Sequence, residues 1–101
     1  MLASFSVIPI GKGESLSQEV SQIIRLVDES GLKYRLNAMG TVVEGEWDEV
    51  LGLIRQCHET MRQSSPRVIT TISIDDRQGA VNRITGKIES VEKKLDRTLK
   101  K

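Results

Sequence analysis

LNAMGTVVEGEW, residues 36–47, is the stretch on which the fold turns. Just upstream and into it, KYRLNA places Tyr34, Leu36 and Ala38 on one face and Arg35 and Asn37 on the other, the period of two that belongs to a strand. Met39-Gly40 is a tight connection, and Thr41 to Glu44 reads as the returning strand of an antiparallel hairpin. From Trp47 the period changes. Val50, Leu51, Ile54, Cys57 and Met61 recur on one side of a helix, and Asp48 and Glu49 fall in its first turn, where the helix dipole favours carboxylates. Ser64-Ser65-Pro66 stops it.

Working outward, residues 2–10 alternate as a strand with Ala3, Phe5 and Val7 on one face and Ser4, Ser6 and Ile8 on the other. Pro9 has no N–H for a ladder, so the strand is expected to end or bulge there. Gly11 and Gly13 make a loop, and Ser15 with Gln18 has the spacing of a capping box. Leu16, Val20, Ile23, Ile24 and Val27 then form a helical stripe that Gly31 closes. Beyond the hairpin and its helix, RVITTISIDD (67–76) is a further strand, with Val68, Thr70, Ile72 and Ile74 opposite Ile69, Thr71, Ser73 and Asp75. After a loop at 76–79, a last helix carries Ile84, Ile88, Val91, Leu95 and Leu99.

The order is strand, helix, strand, strand, helix, strand, and then the terminal helix. Two helices on one face of a four-stranded antiparallel sheet give an α+β, ferredoxin-like βαββαβ sandwich, a single domain over residues 1–101 with an extra C-terminal helix. One sheet face is left uncovered. If the helices take the more apolar side, that face carries Ser4, Ser6, Asn37, Thr71 and Ser73, with Ile8 and Ile69 beside them and Glu44 if its phase agrees. Short hydrogen-bonding side chains among apolar ones suit a packed interface or a small-molecule pocket; Ser and Thr are also simply tolerated in strands. The spacing of the terminal helix resembles a heptad seam, so it is expected to pack on its own sheet or on a neighbour's helix.

Composition narrows the function classes. Hydrophobic residues are 38% of the chain and aromatics 3%, so the core is aliphatic and partner subunits are expected. The net charge of +1 gives no electrostatic footprint for nucleic acid, and the strands lack the paired aromatics of an RNA-binding sheet. No apolar run approaches a membrane span, and one cysteine makes no internal disulfide; a soluble, cytoplasmic protein is the expectation. Cys57 and His58 are adjacent on a helix and point about 100° apart, so they do not converge, and no second ligand pair has zinc spacing. Cys57 is read as core and His58 as surface. GKG at 11–13 lacks the rest of a phosphate loop. No cofactor, metal or catalytic acid–base pair is expected. Glu44 stands apart from Glu46, Asp48 and Glu49 because it lies in a strand, where it either faces a ligand or is a hairpin-edge charge.

VIPIG (7–11), the helix from Ser15, GTVVEG (40–45) and WDEVLGLI (47–54) followed by CHE resemble the small thiamine-binding protein family over essentially the whole chain. The resemblance implies a ferredoxin-like fold whose sheets join across subunits into dimers, paired as tetramers. It implies non-enzymatic binding of thiamine or its hydroxymethylpyrimidine portion by a carrier or sensor. It places the pocket beside Ser6, Ile8 and Pro9 and beside Asn37, Met39, Thr41 and Glu44. A regulatory or scaffold subunit, in which the open face serves only assembly, is the alternative; a ferredoxin-like enzyme is a third reading that the missing acid–base pair disfavours.

Overall fold

The computed structural model describes residues 1–11, 17–79 and 81–100. The elements run β1 (Leu2–Ile10), α1 (Ser17–Glu29), β2 (Lys33–Asn37), β3 (Gly40–Glu44), α2 (Trp47–Ser64), β4 (Arg67–Asp75) and α3 (Arg83–Leu95). The sheet is antiparallel in the order β2-β3-β1-β4, the ferredoxin-like arrangement expected from the sequence. Ser15, Gly13 and the expected start of α1 lie outside the described residues.

Register fixes the faces. Ala3 opposes Val43 and Ile74, Phe5 opposes Thr41 and Ile72, and Tyr34 and Leu36 follow across β2, so these side chains share the side covered by α1 and α2. There Ala3, Phe5 and Val43 meet Ile23 and Val27 of α1 and Val50, Leu53, Ile54, Cys57 and Met61 of α2 in one buried cluster. Each large aliphatic side chain in it contributes about 1.5–3 kcal/mol by leaving water. The start of α2 is closed by Glu49, whose carboxylate accepts the Glu46 N–H at 3.1 Å. Cys57 is fully buried, and burial pushes its thiol up to about 11. His58, read as a surface residue, is half-buried instead: its Nδ1 lies 2.6 Å from Thr70 Oγ1, which ties α2 to β4.

Two expectations change. Pro9 neither ends nor bulges β1, which pairs with β4 through Ile10, Pro9 facing Val68. The cause is parity. The Met1 carbonyl accepts from Gly45, and the Phe5 carbonyl lies so close to Gly40 that a Cβ there would approach it to 2.9 Å, so odd-numbered residues turn their backbone polar groups toward β3. The β1–β3 ladder stops at Phe5–Thr41. The N–H that Pro9 lacks would therefore point past the end of β3, where no strand of the described residues stands to receive it.

The second change concerns the open face. α3 packs on it against β2 and β3, and its own chain is what covers that half. Its helix ends at Leu95, not at Leu99: Asp96 takes a left-handed conformation (φ 54°), and the N–H groups of Asp96 and Arg97 close on the Lys93 and Glu92 carbonyls. Leu99 N–H returns to the Glu92 carboxylate at 2.6 Å. Unlike α2, α3 buries no residue fully, and Val91 and Leu95 are about half exposed. Over β1 and β4 the open face stays bare, with Ser4, Ile69, Thr71 and Ser73 exposed.

Candidate functional site: a groove where the third strand ends

β3 is five residues long and β1 is nine, so β1 runs beyond its inner neighbour. A strand that outlasts its partner leaves backbone donors and acceptors without a ladder. By the parity above, the Val7 N–H and C=O and the Pro9 C=O point into that gap. The hairpin loop at Ala38-Met39 and the first turns of α1 wall it in, producing a groove of about 490 Å³.

Its walls are mostly apolar. Ile8, Val20, Leu36 and Met39 all reach solvent, Met39 at 92% exposure, and Ile23, Ile24 and Met61 close the inner end. Contiguous exposed aliphatic surface on a small protein marks a place where something else sits. Among it stand three short polar side chains, Ser6, Asn37 and Thr41. Asn37 and Ser6 belong to the open face and Thr41 to the helix side, so they approach a ligand from both sides of the sheet edge. Asn37 offers two donors and an acceptor, Ser6 and Thr41 a hydroxyl each, and the β1 backbone a further donor and acceptor.

Of the seven residues anticipated for the pocket, Ser6, Ile8, Asn37, Met39 and Thr41 line this groove. Pro9 is adjacent in β1 but buried toward the helices. Glu44 is at the other end of β3, paired with Leu2 and Lys33. Its carboxylate accepts the N–H groups of Arg83 (2.8 Å) and Ile84 (3.2 Å), the first turn of α3. Partial burial alone would raise its pKa; the two N–H donors, with the charges of Lys33 and the terminal ammonium, outweigh that and hold the carboxyl below its ordinary value. Close by, the Lys33 ammonium donates to the Asn82 side chain. α1 also contributes to the groove, through Val20, Ile23 and Ile24, which the sequence marks only as an apolar helical stripe. Pro9 was the available signal, since a proline tolerated in mid-strand marks an edge without a partner.

Among the described residues no group of three or more His, Cys, Asp or Glu is placed to hold a metal, and no helix is long and apolar enough to cross a membrane. None of the described residues lining the groove carries a titratable side chain; what they offer a ligand is hydrogen bonds and apolar contact.

Known proteins resemble this chain along most of its length. Residues 3–92 match the family model described as thiamine-binding protein. The UPF0045 protein MJ1052 of Methanocaldococcus jannaschii is 37% identical over 91 residues, 90% of this chain and 91% of its own. Its crystal structure superposes with a TM-score of 0.82 at 38% identity, covering 89% of this chain and 93% of that one. The UPF0045 protein Mb1933 of Mycobacterium bovis is 39% identical over 96 residues, 94% of each chain. A crystal structure of a candidate thiamine biosynthesis or salvage protein from Thermotoga maritima shares the fold at 23% identity, with a TM-score of 0.77 over 89% of this chain and 96% of that one.

Proposed function

The chain belongs to the thiamine-binding protein family, and from that premise we propose that it binds thiamine, or its hydroxymethylpyrimidine portion, in the groove at the end of β3, as a carrier or sensor and without catalysis. The observation that carries this reading is the pairing of an unladdered β1 backbone edge with Asn37 across an aliphatic slot. An aminopyrimidine presents an alternating donor and acceptor edge attached to a flat apolar ring. The Val7 N–H and C=O and the Asn37 amide match the edge, and Ile8, Leu36 and Met39 match the ring, the thioether packing on its face. Ser6 and Thr41 are proposed to complete the contacts. That no carboxylate or histidine stands among the described residues of the groove lining supports binding over bond-breaking, since acid–base catalysis needs a positioned titratable group.

Assembly into dimers, paired as tetramers, in the cytoplasm belongs to the same proposal. Among the described residues the outer edge of β4 has no neighbouring strand, and Ile69, Ile72 and Ile74 are each about 40% exposed; edge pairing with a second copy would cover both.

Calorimetric titration with thiamine, hydroxymethylpyrimidine and an unrelated heterocycle tests the reading. Saturable binding of the first two alone is the expected result. No binding below millimolar by a folded, tetrameric protein would favour the scaffold reading, in which the open face serves assembly only.

A further inference from the structure

Beneath α3 a second hollow of about 380 Å³ adjoins the groove, and Asn37 lines both. Its floor is apolar: Leu2 and Val42 of the sheet, Ile84 and Ile88 of the helix. Its remaining lining is cationic. Arg35 projects from β2, Arg83 and Lys87 from α3, and Lys100 from the tail, with no carboxylate among the described residues of the lining. Lys100 is brought there because Leu99 N–H bonds back to Glu92.

The neighbouring acids offset only part of this charge. Asp75 is the partner of Lys87, whose hydrogen bond and charge hold its carboxyl below the usual range, with Arg83 and Arg77 adding to the effect. Glu89 borders a smaller adjoining hollow with Arg35 and Thr85, yet no ion pair or hydrogen bond joins Arg35 to any side chain among the described residues. A half-buried guanidinium beside a cavity, with its donors unspent, is the arrangement that receives an oxyanion. Glu44 matters here too: by taking the first N–H groups of α3 it fixes where Arg83 and Lys87 stand.

We propose that the hollow beneath α3 binds a phosphoryl group, and that the ligand class of the adjoining groove is a phosphate ester of the heterocycle. Arg35 lies two residues from Asn37 on the same face, about 7 Å away at strand spacing. One elongated molecule thus places its ring in the groove and its anionic tail among Arg35, Arg83 and Lys100. The ester part of the proposal rests on the groove reading; the anion site does not.

The test is calorimetry in low-salt, metal-free buffer with three probes: thiamine, thiamine diphosphate and inorganic pyrophosphate. Thiamine diphosphate is expected to bind about tenfold or more tightly than thiamine, the size of one charge-assisted contact, with the margin shrinking as salt rises. Arg35→Ala and Lys100→Ala are expected to erase that margin and leave thiamine affinity unchanged, with circular dichroism confirming the fold; should Arg35→Ala unfold, Lys100→Ala alone decides. Equal affinity for thiamine and its diphosphate, or a margin that survives both substitutions, overturns the proposal while leaving the groove reading intact. Pyrophosphate binding that depends on Arg35, with no thiamine binding, upholds the anion site and overturns the groove reading instead.

Discussion

The two faces of the sheet are built on opposite principles. α2 and α3 are both amphipathic, but α2 buries five side chains and α3 none. α2 is held by exclusion of water from Val50, Leu53, Ile54, Cys57 and Met61. α3 is held at points: the Glu44 carboxylate on its N–H groups, Lys33 on Asn82, and Lys87 on Asp75. A helix seated by dispersed apolar contact is part of the cooperative core, whereas one seated by a few polar anchors is removable at low cost. The candidate groove opens at the sheet edge between the two, with Ser6 and Asn37 on the α3 side of the sheet and Thr41 on the other.

The difference predicts where damage spreads. Ile54→Ala should destabilise the whole protein by about 2–5 kcal/mol, since it removes a fully packed side chain and leaves a cavity; chemical denaturation measures it, and a loss under 1 kcal/mol would mean that the helix-covered face is not the cooperative core. Asn37→Ala, on the other face, should weaken binding of hydroxymethylpyrimidine by about 1–3 kcal/mol with no change in assembly, because the ligand's polar edge loses its partner. Unchanged affinity would remove Asn37 from the site.

Glu44→Gln should cost about 1 kcal/mol, the scale of a lost helix cap, and the loss should be local. Hydrogen exchange is expected to quicken across residues 83–95 and stay unchanged in α2; an equal change in both helices would make them one cooperative unit. The same anchor sets a pH dependence. Glu44 has a depressed pKa when folded, so its contribution is present above the ordinary carboxylate value and is lost as pH falls through the depressed one. Protection of α3 amides, corrected for the intrinsic exchange rate, should therefore drop as pH falls from the ordinary glutamate value of 4.5 through the depressed one, and the Glu44→Gln variant should lack that step. Smallest of all, Cys57 should resist alkylation in the native protein at pH 8, because its thiol is both buried and pushed up to about 11; labelling before unfolding would show that α2 opens locally.

Much of this was legible one residue at a time. Alternation in KYRLNA and RVITTISIDD and the stripe from Val50 to Met61 give element types because backbone geometry imposes periods of two and 3.6 on any buried face. The faces of β1 followed from Ala3 and Phe5 standing against Ser4 and Ser6. Five of the seven anticipated pocket residues line one groove because the hairpin loop is short and keeps Asn37, Met39 and Thr41 together. Glu44 could not be placed in the same way. Its neighbours in sequence say only that it is a strand carboxylate; that it meets the first turn of a helix 39 residues away is a property of how α3 lands.

By itself, then, the chain determined its secondary elements, their order and the side each strand turns to the core, since these depend on spacing along a few residues. Tertiary structure decided which half of the open face α3 covers, where β1 outruns β3, and which cations gather around Arg35. Those depend on strand lengths compared across the sheet and on contacts between distant segments, and no local period encodes a distance between elements.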